Sequence, residues 1–424
     1  MPDEIPEAPK IKLKRIVAEN FMIIGASKLI SLLITLYFAK LLSIEDYGLY
    51  SKININIMYL SLLHLGSMNG IGIELPKYLN RYLPQRSTKF YISYFIFSFT
   101  LQAVIGLIIF FMFKTASLPL LILVFLYFVF LKSSDNIKIY YLSSLKLETN
   151  NVFRLFSEIL APLTALGFLF YTRSVTGIFA GFSMAYGGIF LFSIFFLCYQ
   201  IRRFGYNFNH FYVFIKRLYI TGFPVYIVWM LDMQFQYFST FLMSHFYSTV
   251  DLANYYFASN FVGVLPLAAY SILSPYGQLV YKHIALKENL KAHEYLLKGT
   301  RYILLLCIVI AVLLIVGYPI VSNYVGKYSQ NYFLMLSMLP ANFIIALTGL
   351  MVYFMTAIYR AKTLIRFQLI AFSIGLVLNF IVVWFHMDLI WFVISGFVAI
   401  AIYFGQLLNF IRKDRKKWLS IIRI

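Results

Sequence analysis

Two cysteines, Cys198 and Cys307, are all that 424 residues contain, and both sit in apolar runs. They supply no disulfide framework and no metal-ligand spacing. Acids are scarce as well. Sixteen Asp and Glu stand against 36 Lys and Arg, and charged residues make up only 12% of the chain. That is about half of what a soluble globular domain carries. His64 and His245 are isolated, so no His/Cys/carboxylate cluster implies a metal, and no cofactor is expected. No glycine-rich loop followed by Lys-Ser or Lys-Thr occurs, which argues against direct nucleotide hydrolysis. The stretch from Met1 to Lys10 is polar and proline-bearing. It lacks the charged, apolar and cleavage regions of a signal peptide, so the first span is expected to be retained.

What is present is apolar. Hydrophobic residues reach 61% and aromatics 19%, with mean hydropathy +0.80. This composition predicts an all-α, polytopic bundle of transmembrane helices. Spans are expected near 20–41, 50–76, 90–113, 117–141, 152–171, 176–200, 218–245, 253–281, 300–324, 331–358, 364–385 and 389–411. Most are close to the roughly 20 residues that cross the hydrocarbon. The second, eighth and tenth are longer and are expected to tilt or project. The first carries Lys28 near its middle, with Asn20, Ser27, Ser31 and Thr35 on the same helical stripe. A charge at that depth costs a few kcal/mol, so it faces protein or water. It either pairs inside the bundle or lines a polar cavity that receives an anion.

The net charge is +20. No basic domain exists to hold nucleic acid, and the basic residues fall between apolar runs. All of the 36 Lys and Arg except Lys28, Lys40, Lys52, Lys114, Arg173 and Lys327 lie at the termini or on every second connection. The positive-inside rule then puts both termini in the cytoplasm, with an even number of spans. The outer loops are short. That weighs against a membrane polymerase or glycosyltransferase, so no enzyme is expected.

Two halves are legible. Asp46-Tyr47-Gly48-Leu49-Tyr50 is echoed by Asp251-Leu252-Ala253-Asn254-Tyr255, and Lys77 by Lys282 at the same separation. Twelve spans thus divide into two six-helix lobes of parallel topology related by a pseudo-two-fold axis. The lobes are expected at 1–200 and 218–424, with the basic segment 201–217 as linker. Prolines interrupt several spans, and Gly222-Phe223-Pro224 is the best hinge candidate.

The run from Asn20 through Gly25 and Ser27, then Ala39-Lys40-Leu41-Leu42-Ser43-Ile44-Glu45-Asp46-Tyr47-Gly48-Leu49-Tyr50, then Leu63-His64-Leu65-Gly66 and Gly70-Ile71, resembles the start of Wzx-type polysaccharide-biosynthesis flippases. These belong to the multidrug/oligosaccharidyl-lipid/polysaccharide exporter superfamily. Tyr219-Ile220-Thr221-Gly222-Phe223-Pro224 and Gly375-Leu376-Val377-Leu378-Asn379 resemble later stretches of the same family. One departure is plain. Where many members have an Asp-Arg pair late in the seventh span, this chain has Tyr237-Phe238-Ser239. The resemblance implies a flippase of the bacterial plasma membrane. Its partner would be an undecaprenyl-pyrophosphate-linked glycan of O-antigen or capsule type, moved by alternating access through a central cavity. A polysaccharide polymerase and a chain-length regulator would be protein partners.

Such a substrate asks for cations facing a diphosphate and polar walls facing a glycan. Lys28, Lys52 and Lys40 are the expected cations, although Lys52 also suits an interface. Ser31, Asn56, His64 and Gln236 head the polar wall, with Ser27, Asn54, Ser61, Thr240 and Asn260 beside them. Among intramembrane acids, Glu158 is expected to pair with Arg154, and Asp135 with Lys132 and Lys138. Asp232 has no sequence-local cation and is the first candidate for a coupling ion; Glu74 is the second. A multidrug or small-solute antiporter of the same architecture is the alternative reading.

Overall fold

In the computed structural model, the described residues are Ser27, 30–81, 84–113, 116–144, 147–206, 208–286, 288–358 and 360–422. Among them every regular element is helical and there is no strand. Ten helices among the described residues are long and apolar enough to cross a membrane.

The first helix of the described residues is α1 (Ile30–Leu41), which ends two residues before Ser43. Ser43 starts the next helix, α2 (Ile44–Leu62). Its hydroxyl accepts from the Asp46 backbone N–H at 3.0 Å and donates to Asp46 Oδ2 at 3.0 Å. This satisfies one of the orphan donors of a helix N-terminus. The same device opens α11 (Thr249–Val262), where Ser248 accepts from the Asp251 N–H at 3.1 Å and donates to Asp251 Oδ2 at 2.6 Å. The Asp46 and Asp251 landmarks are therefore both caps.

The expected second span, 50–76, is not one helix. It breaks at 63–66, where Leu65 and Gly66 adopt φ of 49° and 94°, and resumes as α3 (Ser67–Arg81). The expected eighth span is divided more gently, at Gly263, before α12 (Val264–Ala285).

Two compact units emerge among the described residues, one within 33–256 and the other made mainly of those from 257 onward. The first adds α4 (Pro84–Gly106), α5 (Ile108–Met112), α6 (Leu118–Ser143), α7 (Leu147–Leu155), α8 (Ala161–Thr172), α9 (Val175–Phe204) and α10 (Phe211–Phe246). Within it α9 packs against α6 and α8, and α10 against α3. An aromatic core of Phe38, Tyr50, Tyr127, Phe179 and Phe182 fills the space around α9. Between α7 and α8 lies one wide π turn, Phe156–Leu160, just ahead of Pro162. Proline has no N–H to return to the preceding turn. The loosened carbonyl of Ser157 accepts from Tyr186 Oη at 3.0 Å. Arg154 and Glu158 pair across this turn at 2.9 Å, as their spacing predicts.

The second unit contains α13 (Asn289–Val325), α14 (Tyr332–Ala357), α15 (Ala361–Trp384) and α16 (Leu389–Ile422). α12 packs on α13 and α14, and α16 on α14 and α15. Leu305, Val309, Val312, Val316 and Ile320 form an exposed apolar stripe along α13. A stripe this long suits acyl chains, not water.

The basic segment 201–217 is mostly helical. Only 205–210 interrupts α9 and α10, and Lys216 and Arg217 already belong to α10. Lys132 and Lys138, counted above with an inner connection, likewise stand inside α6.

Candidate functional site

The site begins at the break between α2 and α3. Backbones meet closely there. A Cβ on Gly222 of α10 would lie 2.1 Å from the Gly66 carbonyl oxygen and 2.4 Å from the Gly70 nitrogen. A Cβ on Gly70 would lie 2.2 Å from the Leu218 oxygen. Small residues at such crossings let helices approach at backbone contact. The turn is then held by side chains. His64 Nδ1 accepts from the Gly66 N–H at 3.0 Å. Tyr226 of α10 donates to the Leu62 carbonyl at 2.7 Å, supplying an acceptor at the end of α2 with its partner. The His64 ring stacks on Trp229 at 6.0 Å and meets Tyr226 edge-on at 5.3 Å.

This turn and α6 line a partly open cavity of about 270 Å³ within the first unit. Ser61, His64, Met68 and Asn69 line it from α2, the turn and α3. Lys132, Asp135 and Ile139 line it from α6, and Trp229 from α10. Asp135 Oδ2 lies 3.2 Å from Lys132 Nζ, and Oδ1 lies 2.8 Å from Lys138 Nζ. The i, i+3 spacing on both sides brings all three groups to one face of α6. Two ammonium groups share one carboxylate, so the trio carries one positive charge in excess. Lys132 stands roughly 21 Å along α6 from Leu118, at 1.5 Å per residue, well within a membrane-crossing helix.

Behind this face, Asn136 joins α4 to α6. Its Oδ1 accepts from Tyr94 Oη at 2.7 Å and from Ser98 Oγ at 3.1 Å, and Tyr91 donates to its backbone carbonyl at 3.3 Å. That network fixes the rotation of α6 and so the direction of the charged face. Asn69 Oδ1, Ser134 Oγ and Asn136 Nδ2 are buried and have no hydrogen-bond partner among the described residues. Such groups suit ordered water or a polar ligand.

The residues expected from sequence are distributed unevenly. His64 and Ser61 line the cavity. Lys28 lies outside the described residues. Lys40 and Ser31 are half-buried on α1, and Lys52 is half-buried on α2. Asn56 is buried and donates to the Lys52 carbonyl at 2.7 Å. Gln236 falls on α10, with its side chain outside the described set. Asp232 is half-buried on α10, and no described cation pairs with it. Glu74, the second coupling-ion candidate, has a cation partner from a distant helix. It is buried and accepts from Arg217 Nε of α10, so its charge is already matched. The cavity residues that sequence reading did not select are Lys132, Asp135, Asn69 and Trp229. The first two had a signal in their i, i+3 spacing inside a long apolar run.

No family model matches the sequence, and no curated protein does. Solved structures do. The lipid II flippase MurJ, in an inward closed conformation, aligns over 92% of this chain and 87% of its own at TM-score 0.69 and 18% identity. A MATE transporter of Vibrio cholerae aligns over 96% and 98% at TM-score 0.58 and 13% identity. A transporter of the MOP superfamily from Pyrococcus furiosus, described as having a binding pocket of reversed polarity, aligns over 94% and 95% at TM-score 0.60 and 13% identity. The chain has the fold of the MurJ and MATE transporters. With ten spanning helices on that fold it is a multi-pass membrane protein.

Proposed function

We propose that this protein moves a lipid-linked oligosaccharide, carried on undecaprenyl pyrophosphate, across the bacterial plasma membrane for surface polysaccharide assembly. The observation that carries the reading is the excess positive charge of Lys132, Asp135 and Lys138 beside a cavity at membrane depth that Ser61, His64 and Asn69 also line. A cation at that depth is costly and marks a route for charge. Lys132 is the point charge for a phosphate oxygen. Ser61, His64 and Asn69 offer hydrogen bonds to hydroxyls. Trp229, 39% exposed, presents a ring face for a sugar to stack on. The volume of about 270 Å³ is below the ~300–1,000 Å³ typical of small-molecule sites. It takes a diphosphate headgroup, with the glycan extending past it. Transport follows when the cavity opens to one side of the membrane and then the other. The solved MurJ structure, a flippase by description, shares the fold that this reading requires.

The test is reconstitution. Liposomes containing the purified chain receive a fluorescent polyprenyl-pyrophosphate oligosaccharide, and dithionite reports the fraction in the outer leaflet. Wild type equilibrates the label, and Lys132→Met slows it at least tenfold while reconstituting equally well. Equal rates for the two refute the role of Lys132. Half-buried Asp232 supports a second reading, antiport of a cationic solute. Ethidium transport that is lost in Asp232→Asn, with no glycolipid movement, would replace the first reading by the second.

A further inference from the structure

We infer that Asp135 is a built-in competitor for the anion-binding lysine of the cavity, an inference that rests on the headgroup reading above. Each carboxylate oxygen takes one lysine. The contact to Lys138 is 2.8 Å, and that to Lys132 is 3.2 Å. Only Lys132 and Asp135 line the cavity; Lys138 stands behind them. An incoming phosphate oxygen therefore draws Lys132 away from Asp135, and Asp135 keeps Lys138. With the cavity empty, Lys132 shares the Asp135 carboxylate with Lys138, and the trio keeps its one excess positive charge. With the headgroup bound, the two anions divide the two lysines.

The arrangement also limits affinity. A carrier must bind strongly enough to load and weakly enough to unload. A lysine left wholly unopposed at membrane depth would hold a diphosphate tightly. Asp135 returns to Lys132 as the headgroup leaves, so release is an exchange of partners, not the exposure of a bare ammonium group.

The experiment is calorimetric titration of inorganic pyrophosphate and of farnesyl pyrophosphate into the purified full chain. The variants are Lys132→Met, Asp135→Asn, Lys138→Met and the double variant Lys138→Met/Asp135→Asn. Asp135→Asn should bind about tenfold tighter than wild type, the factor given by ~1.4 kcal/mol of released ion pairing. The double variant keeps the wild-type net charge and should still bind tighter, by about threefold or more. Lys138→Met should bind more weakly, because Asp135 then rests on Lys132 alone. In the liposome assay Asp135→Asn should be slower than wild type despite its tighter binding. A merely structural role would weaken both. If Asp135→Asn fails to fold, the double variant carries the test, since it leaves the net charge of this face as in the wild type. A double variant no tighter than wild type, with Lys132→Met still weakened, overturns the competitor and leaves the site standing. Lys132→Met binding like wild type removes the site itself. An order of variants seen with inorganic pyrophosphate but lost with farnesyl pyrophosphate overturns the headgroup as ligand.

Discussion

Replacing Gly222 by alanine tests the crossing on which the cavity is built. The added Cβ would meet the Gly66 carbonyl oxygen at 2.1 Å, the Gly70 nitrogen at 2.4 Å and the Gly70 Cα at 2.8 Å. All three are backbone atoms, so no rotamer change relieves the clash. To reach the 3.4 Å of ordinary contact, α10 must withdraw from α3 by about 1.3 Å. Overpacking of this kind costs about 1–3 kcal/mol, and a backbone obstacle belongs at the upper end. Alanine gains ~1 kcal/mol over glycine inside a helix. The net loss is therefore about 2 kcal/mol, or ~4–8 °C of melting temperature for a unit of this size. Gly188→Ala is the control. It lies in α9 with nothing within 4 Å of the new Cβ, so it gains helix propensity without a clash. The measurement is thermal unfolding of the purified variants in one detergent, followed by intrinsic fluorescence. Melting of Gly222→Ala at or above the Gly188→Ala temperature would refute the argument.

Arg217→Gln removes the guanidinium from buried Glu74. Because Arg217 is itself 44% exposed, the loss should be about 2–3 kcal/mol, below that of a wholly buried pair. Restoration of stability in Arg217→Gln/Glu74→Gln would confirm that the stranded carboxylate is the cause, and no rescue would deny it. Ser43→Ala and Ser248→Ala each delete the same pair of capping bonds, so each should cost ~1 kcal/mol. Hydrogen exchange at the Asp46 and Asp251 amides reads this directly. A response at one cap and not the other would show that the two are not equivalent.

Helix content and the approximate positions of the spans could be read from apolar run lengths, because in hydrocarbon every backbone group must be satisfied within its own helix. The ion pairs Arg154 with Glu158, and Asp135 with both lysines, followed from spacing alone. The break at 63–66 did not. Leu62, Leu63 and Leu65 look like the interior of a span. The left-handed turn there is set by partners distant in sequence, the α10 backbone at Phe223 and the Tyr226 hydroxyl. The partner of Glu74 is hidden for the same reason: its cation, Arg217, is far away in the chain. Lys132 falls within the expected span 117–141 and yet counts with an inner connection in the charge asymmetry, because a charge count does not distinguish a helix interior from the loop that follows it.

The wide turn at Phe156–Leu160 has its own consequence. A π turn closes its ring over one residue more than an α turn does. The helix therefore holds one amino acid beyond what its facing pattern requires. Loss of a single residue from that turn leaves Ala161, Ala165 and Leu169 aimed inward as before, at the expense of the latch from Tyr186 and the Arg154–Glu158 pair. Deletions elsewhere in the same helix turn its downstream face by about 100° and send those three toward lipid. Along this stretch of chain, 156–160 is where evolution can shorten the protein by one residue and keep its inside inside.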